Sequence, residues 1–275
     1  KDAIELIDKM MTVYDEPYAD SSAIPTMLVS KLASKYVTVA LSGDGGDELF
    51  LGYGSYNWAH RLNNPAIQFF RHEISAALSL FGNKYKRAAH LFNYKNEHDM
   101  ASHILSQEQY FFSQIELEQL LVKPFKNTIG NILDTSHCCY NRSLNEMEKQ
   151  ALFDLNFYLS DDLLVKVDRA TMQYSLEARV PYLDHRLVEF ALNLSSGLKY
   201  RNGTTKYLLK EILYQYVPKR LLNRPKQGFA IPLEEWLKNE LRYLIEENLS
   251  ENVVERFNFV KYDVVRQLKQ GFFEG

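Results

Sequence analysis

Leu41-Ser42-Gly43-Asp44-Gly45-Gly46-Asp47-Glu48-Leu49-Phe50-Leu51-Gly52-Tyr53 sets three carboxylates and four glycines in a turn. The turn directly follows Tyr36-Val37-Thr38-Val39-Ala40-Leu41, whose β-branched, apolar character predicts a short buried strand. A glycine-rich turn at the carboxyl end of a buried strand lets backbone N–H groups approach a ligand, and parallel strands present ligands at that end. Asp44, Asp47 and Glu48 add hard oxygen donors of the kind magnesium takes together with substrate phosphates. Two plainer readings stay open at this point. Gly and Asp tolerate the angles of an ordinary turn. A calcium loop would need alternating aspartates and a closing glutamate at its twelfth position, and both are missing here.

The wider composition narrows the field. With 275 residues the chain can bury a large core as one big domain or two modest ones. Its 46% apolar and 24% charged content is that of an ordinary globular protein. A net charge of −3 with scattered basic residues gives no nucleic-acid-binding face. No apolar run reaches the roughly 18–20 residues of a membrane span, and nothing reads as a signal peptide. Cys138 and Cys139 are adjacent and cannot build a disulfide framework, so a reducing cytoplasm is the expected compartment. The chain opens on Lys1 in what reads as helix, which suggests a piece of something longer.

Most of the remaining sequence has helical spacing. Helices are expected over residues 2–13, 25–35, 46–60, 64–83, 97–122, 145–160, 161–174, 184–193, 204–217, 233–247 and 262–269. Residues 84–87 read as a basic polar join, and 127–143 as an irregular surface connection. With one convincing strand, the edges of that strand need partners from absent sequence.

Three further segments carry chemistry. Asp162, Lys166 and Arg169 are neighbours along one helix face, either as a solvated salt-bridge ladder or as charges held toward a ligand. In Ser175 to Asp184, Pro181 keeps Val180 extended and Asp184 can cap the next helix, while Glu177 and Arg179 suggest a buried pair fixing a corner. Asn223-Arg224-Pro225-Lys226-Gln227-Gly228-Phe229-Ala230-Ile231-Pro232 is a loop stiffened by two prolines. It presents Lys226, a compact point charge suited to a phosphate or a developing oxyanion, although a lone loop lysine is more often simply exposed.

Together these stretches, with Asp15-Glu16-Pro17 and Asp20-Ser21-Ser22-Ala23-Ile24-Pro25, resemble the synthetase domain of the glutamine-hydrolysing asparagine synthetase family. The motifs run in the family's order across nearly the whole chain. β-Lactam synthetase shares this domain. The resemblance implies a fragment that is mainly α, residues 1–275 forming the C-terminal portion of an α/β PP-loop ATP pyrophosphatase domain with one or few parallel strands.

It also implies ATP-dependent amidation of aspartate to asparagine through an acyl-adenylate. ATP and Mg²⁺ are the expected cofactors. Ammonia would come from glutamine through an N-terminal glutaminase domain, and a homodimer is allowed. By match to the motifs, Ser42 and Gly43 contact the nucleotide, Asp47 holds Mg²⁺, and Asp44 sits at the acyl-adenylate. Lys226 lies by the phosphates, Lys206 is a pyrophosphate candidate, and Tyr53 and Lys166 line the substrate side with Asp162 orienting Lys166.

Two departures stand out. Several members of the family have glutamate at the position of Asp44. The family's Ser-Gly-Gly-x-Asp-Ser pyrophosphatase loop and its N-terminal cysteine nucleophile are absent, the nearest string being Ser195-Ser196-Gly197-Leu198. The chain is therefore expected to begin after that loop, to hold half of an ATP site, and to be inactive alone. An amidotransferase for another carboxylate, such as a polysaccharide sugar acid, and a non-catalytic helical module are the competing readings. The presence of both Asp47 and Lys226 argues against the second.

Overall fold

The computed structural model describes residues 4–81, 83–94, 100–109, 111–123, 142–222 and 231–274. The chain forms two compact units, Lys1–Asn64 with Thr135–Ile231, and Pro65–Asp134 with Pro232–Gly275. Helices dominate both, as the sequence predicts, and the strands among the described residues form one two-stranded parallel sheet. The loop 223–230, with Lys226, and most of the connection 127–143 lie outside the described residues.

In the first unit β1 (Val39–Leu41) pairs with β2 (Glu177–Arg179) in the register Val39–Glu177, Ala40–Ala178, Leu41–Arg179. Two expectations are corrected here. The strand is shorter than residues 36–41, and one face of it is open: Val39 is 44% and Leu41 75% exposed. The partner strand β2 is the segment read as a corner. Its Glu177 and Arg179 do pair, at 2.8 Å, but both are exposed, because residues two apart on a strand share one face and that face is toward solvent. A three-residue strand with two charges carries no apolar alternation by which to recognise it.

A continuous helical rod crosses this unit. Glu146–Asp154 and Leu164–Met172 are α-helical, and Leu155–Leu163 between them is a π-helix. Local hydroxyl and amide donors accompany the widening: Asn156 Nδ2 donates to the Leu152 carbonyl (2.8 Å) and Ser160 Oγ to that of Asn156 (2.5 Å). Asn145 and Glu148 form a reciprocal capping box at the rod's start. Helices Ile7–Tyr14 and Ala23–Ala33 pack on the far end of the rod around Leu6, Tyr14, Ile24, Met27 and Ala170. Asp184 caps His185–Asn193 through the Arg186 amide, as expected.

The helix expected over 46–60 is two short ones, Gly46–Leu49 and Tyr56–Leu62. Leu49 and Phe50 join a cluster with Ala191, whereas Leu51 joins Tyr56, Met147 and Ala151. Each of these three side chains is essentially fully buried, worth about 1.5–3 kcal/mol apiece. Leu51 takes a left-handed φ of 55°, which costs roughly 1–2 kcal/mol, less than that burial contributes.

The described residues of the second unit are mainly helical, with one isolated antiparallel bridge between Leu121 and Val260. Arg71–Ser79 packs on Asn83–Leu91, so the stretch read as a polar join is helix. The expected helices 64–83, 97–122 and 233–247 each divide in two. Leu120, Val254 and Val265 form its apolar cluster, and the Leu120 carbonyl accepts from the Lys261 amide (2.8 Å). No described helix is long and apolar enough to cross a membrane.

Candidate functional site

The parallel ladder runs directly into the acidic turn. Ser42 N–H donates to the Arg179 carbonyl (2.8 Å), so the turn opens at the carboxyl end of both strands, where parallel sheets present ligands. Ser42 Oγ donates to Asp44 Oδ2 at 2.6 Å. Gly43 faces open space. Gly45 has φ +80°, an angle that favours glycine, and a Cβ there would also stand 2.5 Å from Leu183 Cδ2. Gly46 lies against the Tyr182 ring. Tyr182 and Leu183 are thus the floor beneath the turn.

Asp47 and Lys206 meet at 3.0 Å, with side chains 20% and 29% exposed. Lys206 reaches the turn from a left-handed residue (φ 52°) whose N–H donates to the Phe50 carbonyl (3.2 Å). In the same unit Lys199 is buried 3.6 Å from Glu148, and Arg142 binds Glu148 as well as the carbonyls of Leu192 and Leu194. Arg201 and Thr204 close the intervening turn through two backbone hydrogen bonds.

The donor set at Asp47 fits magnesium in one way. Among the described residues no group of three or more His, Cys, Asp or Glu could hold a metal alone. A single accessible carboxylate instead matches a magnesium ion shared with substrate phosphates, and Lys206 beside it matches an anionic ligand.

The next residue, Glu48, is buried. Tyr53 Oη donates to its carboxylate at 3.0 Å. Burial raises the Glu48 carboxyl above the usual range, and the neighbouring Asp47 adds to this against the bond from Tyr53. Burial and Glu48 together push the Tyr53 phenol well up, so it stays protonated and remains a donor. Tyr53 packs edge-on against Tyr56 and Tyr158, and Tyr158 comes from the π-helical stretch.

Lys166 is held by other groups. Its ammonium bonds Asp20 Oδ2 (2.6 Å) and Ser22 Oγ (2.8 Å), and Tyr14 Oη donates to its carbonyl. Asp162, expected to orient Lys166, instead accepts from Tyr18 Oη, and Tyr18 stacks on Tyr14 at 4.3 Å. The ladder of residues 162, 166 and 169 does not form. An α-helical spacing no longer aligns side chains where the preceding turns are π-helical, and Arg169 pairs with Asp15.

The structure therefore joins Ser42 to Asp44, Asp47 to Lys206, and Tyr53 to Glu48, and gives Lys166 to Asp20. Glu48, expected as an oxygen donor of the turn, is instead buried against Tyr53. Asp20 and Ser22 were not among the expected site residues. Asp20 and Ser22 stand 146 and 144 residues from Lys166 and carry no local signal beyond capping.

A glycine-rich acidic turn thus ends the parallel sheet of a mainly helical unit and carries the Asp47–Lys206 pair. The asparagine synthase family profile matches residues 1–272, and the chain belongs to that family. It is 33% identical over 273 residues to asparagine synthetase [glutamine-hydrolyzing] 1 of Bacillus subtilis (strain 168), covering 95% of this chain and 41% of the relative. It is 33% identical over 112 residues to the asparagine synthetase [glutamine-hydrolyzing] of Gallus gallus, covering 37% and 20%. It is 22% identical over 268 residues to amidase chyE of Penicillium rubens, covering 90% and 40%. The chain thus spans about two fifths, or less, of the length of these curated relatives.

Proposed function

We propose that the full-length protein carrying this chain is a cytoplasmic ATP-dependent amide-forming ligase that converts aspartate to asparagine. The substrate carboxylate attacks the α-phosphorus of ATP, releasing pyrophosphate and giving an acyl-adenylate. Ammonia, drawn from glutamine by an N-terminal glutaminase domain, then attacks the acyl carbon and AMP leaves. The observation that carries this reading is the Asp47–Lys206 pair beside the open Ser42–Gly43 end of the turn.

Ser42 and Gly43 approach the nucleotide with backbone and hydroxyl, in a domain of the PP-loop pyrophosphatase type. Asp47 would hold Mg²⁺, which when bound neutralises charge on the departing pyrophosphate. Lys206 moves its positive charge from Asp47 toward the same phosphates, and Lys226 is assigned a parallel role from its loop. Asp44, fixed by Ser42, faces the acyl-adenylate. Tyr53 and Lys166 support the substrate side, both tied to carboxylates of the scaffold.

The test is pyrophosphate release by the full-length protein with ATP, Mg²⁺, glutamine and a panel of carboxylates. Release with aspartate supports the reading. Release only with another acid transfers the mechanism to that substrate, and no release with any acid overturns it.

A further inference from the structure

The four glycines of the acidic turn are not there for one reason. Gly45 answers to its backbone angle and to Leu183. Gly52 has no left-handed φ, so ordinary residues could adopt its backbone. What excludes a side chain at position 52 is the pair in front of it. A Cβ there would overlap Asp47 Oδ1 and Lys206 Cε outright and stand 2.7 Å from Asp47 Cγ. These are the nearest atoms, and all belong to the two charged side chains.

We propose that Gly52 is a positioning residue, kept without a side chain so that the Asp47 carboxylate and the Lys206 ammonium can meet in the space a Cβ would fill. The inference rests on the functional reading of that pair. The atoms a Cβ would meet lie at the ends of side chains that can swing away. The backbone ties of the region involve other atoms: Gly52 N–H to the Asp47 carbonyl (2.8 Å) and Lys206 N–H to the Phe50 carbonyl (3.2 Å). The neighbouring Leu51 keeps its burial. A methyl group at position 52 therefore displaces the charges while leaving the fold in place. The ligand that loses by it is a magnesium-bound polyphosphate, which needs both charges on one side of the turn.

The experiment is calorimetric titration of magnesium pyrophosphate into the full-length protein, with thermal unfolding in parallel. The variants are Gly52→Ala, Lys206→Ala, Asp47→Asn and the double variant Gly52→Ala/Lys206→Ala. Gly52→Ala is expected to bind roughly ten- to a hundredfold more weakly, the scale of a misplaced binding group. Its Tm should move by less than about 3 °C. In the Lys206→Ala background the same alanine should weaken binding far less, because the group it displaces is already gone.

Unchanged affinity in Gly52→Ala, or losses that simply add, would overturn the proposal. So would unfolding of both Gly52→Ala and the double variant, since glycine would then serve the fold. Unfolding of the single variant with recovery in the double one supports it. If Asp47→Asn and Lys206→Ala bind as the wild type does, the functional reading of the pair has failed instead.

Discussion

Lys166 and Lys206 each stand against an aspartate, at 2.6 Å from Asp20 and 3.0 Å from Asp47. Around the first pair the hydrogen-bonding capacity is spent inside the fold. Ser22 donates to Asp20 twice, through its amide (2.8 Å) and its hydroxyl (2.9 Å), and accepts from Lys166. Lys166 and Asp20 have side chains only 10% and 18% exposed. In the second pair Lys206 is the more exposed lysine, at 29%, while Asp47 at 20% matches Asp20, and the Lys206 backbone is left-handed. Similar chemistry thus serves two purposes. A buried lysine bonded twice over ties helices to one another, whereas a lysine nearer the solvent on a strained turn can also reach a ligand.

The sharpest way to break this comparison is to remove each lysine. Lys166→Met leaves the Asp20 carboxylate buried without its counter-charge, which costs about 3–5 kcal/mol of stability. Denaturant unfolding measures it, and adding Asp20→Asn should recover much of the loss. If the double variant is as unstable as the single one, the pair is not the tie it is taken to be. Lys206→Met should cost less than about 1 kcal/mol in the same assay. Its effect should fall on pyrophosphate release by the full-length protein, roughly 10²–10³-fold, the scale of losing one preorganised charge donor. An unfolded Lys206→Met variant with no selective loss of activity would reverse the assignment.

The two regions also answer pH with opposite signs. At Asp20 burial raises the carboxyl, but the bonds from Lys166 and Ser22 outweigh it and hold the group below the usual range. Its contribution is therefore present above its unfolded value, about pH 3.9, and is lost as pH falls through the lower folded value. Glu48 is shifted upward, chiefly by burial. Its contribution is present below its unfolded value, about pH 4.3, and is lost as pH rises through the raised folded value. Unfolding across a pH series should show Lys166→Met flattening the acid limb, and Glu48→Gln gaining on the wild type as pH rises above that point. Each effect is bounded by about 1.4 kcal/mol per pH unit for one proton. Both variants tracking the wild type at a constant offset would refute the signs.

The contrast between these regions was only half visible in the chain. The turn at 41–53 could be placed at the end of a strand because an apolar, β-branched run leads directly into its glycines and carboxylates. Its mainly helical surroundings followed from spacing. Lys206 could be singled out only by resemblance, since its pairing with Asp47 depends on a left-handed residue that no local pattern announces. Asp20 stood out only as part of a motif of the resemblance, because its bond to Lys166 spans 146 residues. β2 escaped notice because Glu177-Ala178-Arg179 has neither length nor alternation. The π-helical stretch escaped for a different reason: a run of helix-compatible residues does not say how many complete a turn. That stretch is why a ladder drawn at α-helical spacing through Asp162, Lys166 and Arg169 failed at its first rung.

Arg169 supplies the smallest and most discriminating test. It shares the helix of Lys166 and pairs with Asp15 at 2.8 Å, yet the two side chains are 45% and 72% exposed. Water competes for both charges, and holding two mobile side chains together costs entropy, so exposed pairs of this kind contribute about 0.2–1 kcal/mol. Arg169→Ala should cost no more than about 0.5 kcal/mol, shrinking further in high salt where the Debye length falls to about 3 Å. Lys166→Met on the same helix should keep its full cost at either ionic strength, because its partner is shielded from the solvent ions. Denaturant unfolding of both variants at low and high salt reads the difference directly. A salt-independent loss for Arg169→Ala as large as that for Lys166→Met would mean that burial and saturation do not separate tie from surface pair in this unit, and the distinction between Lys166 and Lys206 would fall with it.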